Sequence, residues 1–343
     1  MGVTGLEPAL PPPRDPDRYA PVFVLAPARS NSSVVTSMIG MHPQVYGFPE
    51  LALFRAEHVG GLLVNPPGFR GLGAPQRMSG LVRAIAQLHE GCQDAASTAR
   101  ARAWLAERRS WEVSWVLDHL LELVDPLVGL EKSPEDSNRR DYLARIERCY
   151  PRARYLHLTR HPLTTVDSMH RAWASARLWD VPDELLHTQL LGFWLFHHDR
   201  VRRFTASLPR DRSLRVRSED VLNDPRPTLR RICAWLGLRL DGEAIEAMLH
   251  PDRSPFARIG PRGALGGNDP GFLADPVPRA THLPERFDPP GEWMLDPWMQ
   301  VAVVELAAEL GYGPSPPPAL VSSGPSCHDG TSASTETVAR SEV

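Results

Sequence analysis

The segment Pro21-Val22-Phe23-Val24-Leu25-Ala26-Pro27-Ala28-Arg29-Ser30-Asn31-Ser32-Ser33-Val34-Val35-Thr36-Ser37-Met38-Ile39-Gly40 decides how this chain is read. Val22 to Leu25 is an apolar run of strand type. A turn of small residues follows, and Val34, Val35, Met38 and Ile39 then recur at helical spacing. The unit is strand, loop, helix. A helix N-terminus leaves about four backbone N–H groups unpaired and carries roughly half a positive charge, so an anion sits there favourably. Ser30, Ser32 and Ser33 add donors, and Arg29 is the one full charge in the loop. The segment also reads as an ordinary turn whose serines only cap the helix. G-x-x-x-x-G-K-[ST] cannot be written anywhere across it, so it is not a Walker A loop.

Working outward, Val45 to Phe48 reads as a second strand, left through Pro49-Glu50. Gly60 to Gly80, rich in Gly and Pro with Arg70 and Arg77, reads as a covering loop. Leu81, Val82, Ile85 and Leu88 open a helical block that runs to about Val124. Its tryptophans, Trp104, Trp111 and Trp115, read as core packing rather than as platforms for base stacking. Leu127 to Leu130 is a third strand, followed by Glu131-Lys132-Ser133-Pro134, and Ser137 to Tyr150 a helix. Arg154 to Leu158 is a fourth strand, followed by Thr159-Arg160-His161-Pro162 and a helix that carries Ser168. Asp183 to Ser207 is the longest helix, Leu214 to Arg217 a further strand, and Pro227 to Leu236 a helix stopped at Gly237. Gly260 to Pro278 has no periodicity and reads as a long loop, and Pro297 to Leu310 as a last helix.

Strands separated by helices imply a parallel sheet covered on both faces. In such sheets the ligand crevice lies at the C-terminal ends of the strands. That rule gathers Arg29, Glu50, Lys132 and Arg160 on one rim, and it favours the anion-binding reading of the opening loop.

The 343 residues can bury a sizeable core. With 38 basic and 41 acidic side chains, the net charge of −3 gives no general attraction to nucleic acid or to an acidic membrane. Cys92, Cys149, Cys233 and Cys327 show no C-x-x-C pairing, so neither a zinc site nor a disulfide framework is indicated. No run is apolar enough for a membrane span, and no signal-peptide pattern is present, so a cytoplasmic setting is expected. Residues 1–20 read as a disordered Pro-rich arm and 313–343 as a disordered tail. One domain is expected over 21–312, with helical insertions at about 60–124 and 173–207.

Five motifs in this order resemble the sulfotransferases that use 3′-phosphoadenosine 5′-phosphosulfate (PAPS). Pro27-Ala28-Arg29-Ser30-Asn31-Ser32 resembles the first signature, P-x-R-S-G-T between a strand and a helix. Arg160-His161-Pro162 with Ser168 resembles the second, R-[DH]-P with a serine eight residues after the arginine. Lys132-Ser133-Pro134 is similar to the K-x-P between them, and Tyr150-Pro151 to the proline that ends the preceding helix. Ser218-Glu219-Asp220-Val221 with Asp224-Pro225 and the helix to Leu238 resembles the E-D-L…D-P…L-G-L segment. The arginine in the first loop and the His42-Pro43…Glu50 continuation look most like the tyrosylprotein and glycan-sulfating branch and its bacterial relatives.

The resemblance implies a P-loop-like α/β fold, a three-layer sandwich with a central parallel sheet flanked by helices. It implies PAPS as co-substrate, no metal, and a small metabolite, glycan or peptide hydroxyl as acceptor. Arg29, Ser30, Asn31, Ser32 and Ser33 would hold the 5′-phosphosulfate, and Arg160 and Ser168 the 3′-phosphate. Arg29 and Lys132 would stabilise the leaving group, and Glu50 would take the acceptor's proton, with His42, His58 and His161 as other candidates. Arg258 and Arg262, in the loop where relatives cover the 3′-phosphate, are further candidates. Asn31 departs from the usual glycine, but asparagine tolerates left-handed backbone geometry. Two other readings stay open at this stage: a P-loop-type nucleotide kinase, disfavoured by the absent Walker A Lys-[Ser/Thr], and a non-catalytic nucleotide-binding relative.

Overall fold

A computed structural model describes the protein over residues 13–65, 73–173, 182–290, 293 and 295–313. Five strands, β1 (Val22–Leu25), β2 (Val45–Gly47), β3 (Val128–Glu131), β4 (Arg154–Thr159) and β5 (Ser213–Arg217), form one sheet in the order β2-β3-β1-β4-β5. Every pairing is parallel. In the central strand, Val22 lies opposite both Leu130 and Arg154.

β1 is an unbroken apolar run because both of its faces are covered. Alternate side chains point to opposite faces of a strand, and here they enter two different cores. Val22, Val24 and Ala26 pack with α1 (Ser32–Gly40) and α11 (Pro225–Leu236) through Val35, Met38, Ile39, Leu229 and Ile232. Phe23 and Leu25 pack on the other face against Leu81, Ile85, Leu117, Leu120 and Leu143. Those residues come from α4 (Ser79–Glu90), α6 (Val113–Val124) and α7 (Arg140–Cys149). Each such aliphatic side chain contributes about 1.5–3 kcal/mol when removed from water, so the two clusters fix a three-layer sandwich. A third cluster joins α8 (Pro162–Trp173), α9 (Asp183–Ala206) and α14 (Pro297–Glu309) through Val166, Leu190, Trp194 and Leu306.

The block between β2 and β3 holds α2 (Val59–Leu62), α3 (Ala74–Arg77), α4, α5 (Ala95–Glu107) and α6. The loop expected over Gly60 to Gly80 is therefore partly helical, and Arg70 lies outside the described residues. Trp104 and Trp111 meet edge to face and pack on the core. After β5 come α10 (Ser218–Asn223), α11, α12 (Gly242–Ala247) and α13 (Pro270–Ala274). The last interrupts the loop expected over Gly260 to Pro278. Asp269 starts α13 by accepting bonds from Gly271 N and Phe272 N, with Pro270 in the first turn.

Of the arm expected over residues 1–20, the structure describes residues 13–20. The guanidinium of Arg14 pairs with Asp118, donates to the Cys149 carbonyl and lies 4.2 Å from the ring centroid of Tyr150. A cation with acceptors and a π-face around it is held in place. Residues 1–12 and the tail beyond 313 lie outside the described residues. No helix among the described residues is long and apolar enough to cross a membrane.

Candidate active site

The loop after β1 turns through two left-handed residues, Arg29 at φ 66° and Asn31 at φ 59°. Such geometry in a non-glycine residue costs about 1 kcal/mol or more and persists where neighbours enforce it. Asn31 Nδ2 donates to Ser218 Oγ at 3.2 Å, and Arg160 Nη1 donates to the Arg29 carbonyl at 2.7 Å. The asparagine that replaces glycine thus keeps the turn. Arg29 Nε donates to Ser168 Oγ at 3.1 Å, which ties the first loop to α8.

Arg29, Asn31, Ser32, Ser33, Arg160 and Ser168 line one cavity of about 330 Å³. Its wall thus combines the helix N-terminus of α1 with the guanidiniums of Arg29, Arg160 and Arg279 and the carboxylates of Asp269 and Asp275. Leu222, Phe272 and Val277 supply apolar lining. Burial pulls the Arg160 guanidinium below its ordinary pKa, with Glu219 opposing the shift and Arg29 and Arg171 adding to it. Cations that repel one another in a partly dry cavity favour an anionic ligand. Ser30 is fully buried with its hydroxyl unpartnered, and it is not on the cavity wall.

Arg258 and Arg262 are exposed and do not line this cavity, whereas Arg279 does. The far end of their loop faces the site instead. The carboxylate of Asp269 forms an ion pair with Arg29, and its backbone N–H donates to Ser33 Oγ at 2.9 Å. Sequence reading did not single out Asp269. Its only local signal was Asn-Asp-Pro, a helix start inside a stretch read as loop.

Lys132, at the end of β3, is 1% exposed. Its ammonium donates to Ser33 Oγ at 3.0 Å and to the carboxylate of Glu50. One cation thereby joins the anion-binding loop to the carboxylate beyond β2. The backbone after Glu50 is pinned from β3: Leu51 N donates to Glu131 Oε1 at 3.1 Å, and Ala52 N to Ser133 Oγ at 2.8 Å. Ser133 Oγ donates in turn to Glu131, and Ala52 is held at φ 48°. Behind them Asp136 is buried against Glu131, and burial together with the neighbouring carboxylate holds Asp136 well above the usual carboxylate range.

A second network supports Arg160. The backbone N–H of His161 donates to Glu219 Oε1 at 2.8 Å, and the Tyr312 hydroxyl donates to Glu219 Oε2 at 3.0 Å. Trp194 Nε1 donates to the Arg160 carbonyl at 3.0 Å. His161 is buried, and desolvation pulls its pKa down to about 4. The His42 ring bonds the Arg239 carbonyl, and His58, whose backbone forms an antiparallel β-bridge with that of Glu112, is exposed. The role of Glu219 was legible only as one letter of a motif, because its partners come from residues 161 and 312.

A family profile described as the sulfotransferase family matches residues 21–242. No curated protein sequence matches the chain. Among solved structures, the chain is similar to the sulfotransferase domain from the Synechococcus PCC 7002 olefin synthase. The two are 25% identical with a TM-score of 0.67, over 89% of this chain and 98% of that one. It is also similar in fold to the sulfotransferase domain from the curacin biosynthetic pathway, 19% identical with a TM-score of 0.67, over 86% and 99% of the two chains. The profile covers the loops of β1, β3 and β4 together with the segment after β5, and by that match this chain belongs to the sulfotransferase family.

Proposed function

We propose that the protein transfers the sulfuryl group of PAPS to a hydroxyl acceptor, giving PAP and a sulfate ester. The observation that carries this reading is Lys132, whose ammonium bonds both Ser33 of the anion-binding loop and the carboxylate of Glu50. Arg29, Asn31, Ser32 and Ser33 bind the 5′-phosphosulfate, and Arg160 with Ser168 binds the 3′-phosphate. In the transfer, the acceptor oxygen forms its bond to sulfur as the bond from sulfur to the phosphate oxygen breaks. Glu50 takes the acceptor's proton, and negative charge grows on the departing phosphate oxygen. Arg29 and Lys132 stabilise that charge, and such preorganised groups commonly supply the largest catalytic contribution. Once protonated, Glu50 no longer holds Lys132 by charge, which leaves the ammonium to the leaving oxygen.

The acceptor is taken from the three classes expected from the sequence: a small metabolite, a glycan or a peptide hydroxyl.

The test is PAP binding by calorimetry beside labelled-sulfate transfer to a panel of hydroxyl acceptors. Glu50→Gln is expected to retain PAP affinity while transfer falls about 100-fold or more. Arg160→Ala is expected to weaken PAP binding. Full transfer by Glu50→Gln removes that residue from the mechanism, and unchanged affinity in Arg160→Ala reassigns the second loop. Tight PAP binding without transfer to any acceptor indicates a non-catalytic relative.

A further inference from the structure

Arg83 of α4 is a buried cation, 2% exposed, with no carboxylate partner among the described residues. Nη1 donates to the Gly266 carbonyl at 2.8 Å, Nη2 to the Arg258 carbonyl at 2.7 Å, and Nε to Gln93 Oε1 at 2.6 Å. Burial pushes its pKa down to about 10. A charge kept in such a place without a counter-ion is held by geometry, and its three bonds fit the planar fork of arginine in a way a lysine cannot repeat. Gln93 is itself fixed, since its amide donates to the Pro255 carbonyl at 2.8 Å. Gly260 lies against the Arg83 side chain, where a Cβ would stand 2.9 Å from Cδ. The loop from 258 to 266 is closed at its neck by a bond from Gly260 N to the Leu265 carbonyl, and Arg83 clamps both sides of that neck.

Beyond the clamp, the next three residues reach both halves of the active site. The Gly267 carbonyl accepts from Glu50 N at 2.7 Å. Asn268 is buried, with its amide on the Phe256 carbonyl at 3.3 Å. Asp269 donates from its backbone to Ser33 and pairs with Arg29. Gly267 has φ 107°, and a Cβ there would stand 2.7 Å from Gly80 Cα, so no larger residue fits the passage between α4 and Glu50.

We propose that the segment Gly266–Asp269, fastened by Arg83, is a strap that sets the carboxylate of Glu50 against the phosphosulfate loop, and that Arg83 is a positioning residue for the proton transfer. The inference rests on the assignment of Glu50 as base and of residues 29–33 as the phosphosulfate loop. Arg83 does not line the cavity that holds Arg29, Arg160 and Ser168. It acts through the Gly267 carbonyl on the backbone that carries Glu50.

A double-mutant cycle on the full chain tests this. Arg83→Lys is expected to lower kcat by roughly 10-fold to 100-fold, the effect of a misplacement of about 1 Å, while PAP affinity measured by calorimetry changes less than threefold. In the Glu50→Gln background the same substitution is expected to have almost no further effect on kcat, because the group it positions is already gone. Gln93→Leu, which removes only the Nε acceptor, is the milder variant should Arg83→Lys not fold. It is expected to show a smaller fall with the same loss in the Glu50→Gln background. Effects that multiply in the double variant, or an unchanged kcat in the single one, overturn the strap. Full activity of Glu50→Gln alone is a separate result that removes the base assignment on which the strap depends.

Discussion

Glu131 Oε2 and Asp136 Oδ1 are both buried, and neither has a donor among the other groups of the described residues. Two carboxylates in contact in a dry site disfavour each other's charged form, which favours a proton shared between them. Burial raises the pKa of each, and the charge of Glu131 adds to the rise at Asp136. A carboxyl kept protonated in the folded state stabilises the fold fully below the ordinary carboxylate value near 4, and that contribution is lost as pH rises through the raised value. Asp136→Asn supplies an amide N–H in place of the shared proton. Urea unfolding between about pH 5 and 9 should show stability falling with pH in the parent and a flatter profile in the variant. Equal slopes would assign the titration to other groups. Lys132 was legible in the sequence because K-x-P follows an apolar strand. Asp136 was not, since Glu131-Lys132-Ser133-Pro134-Glu135-Asp136 has the composition of a solvated turn. Its burial comes from the contacts of the turn Pro134–Ser137 with β1, α7 and α9, which the local composition does not show.

α4 shows the same limit for an element. Its apolar stripe of Leu81, Val82 and Ile85 was readable, and all three are buried. Its start was not, because Gly80 in the first turn looks like a breaker and extended the apparent loop. The glycine is there for the approach of Glu50: a Cβ would stand 2.0 Å from the Glu50 carbonyl oxygen. In an unobstructed helix, Gly→Ala stabilises by about 0.5–1 kcal/mol. Gly80→Ala is expected to reverse that sign and to lower turnover, since the backbone that must move carries Glu50, the proposed base. Melting curves with a transfer assay check it, and a variant that is both more stable and fully active would show that the helix yields instead. Asp269 escaped sequence reading for a related reason, as α13 is only five residues long and has no periodicity to display. The strands, by contrast, were legible: β1 is a continuous apolar run, β3 opens on one, and β4 sets Tyr155, Leu156 and Leu158 around His157 between two helical stretches.

Across the whole molecule, the edge that carries Arg160 is built on neutral histidines. His157 and His198 meet at 3.0 Å, and His197 bonds Asn138 at 2.7 Å. Burial lowers His157 to about 3, His161 and His197 to about 4, and His198 well below its usual value. Groups with depressed pKa that are neutral when folded stabilise the protein fully above the unfolded value near 6.5. They lose that contribution as pH falls through their folded values. Each should add about 1.4 kcal/mol per pH unit to the loss between about pH 6 and 4. A stability slope in that range no steeper than one proton's would mean that these imidazoles are already charged in the fold. The ion pair between Arg29 and Asp269 has a different kind of consequence. A carboxylate carried on the same chain is a tethered competitor, present at a fixed and high effective concentration whatever the solution contains. The affinity seen for a nucleotide is what remains after that competitor has been displaced. The same carboxylate stands ready to retake the arginine as product departs, a step that limits turnover in many enzymes. With Arg29 as the proposed phosphosulfate ligand, such a pair would exchange strength of grip for speed of release.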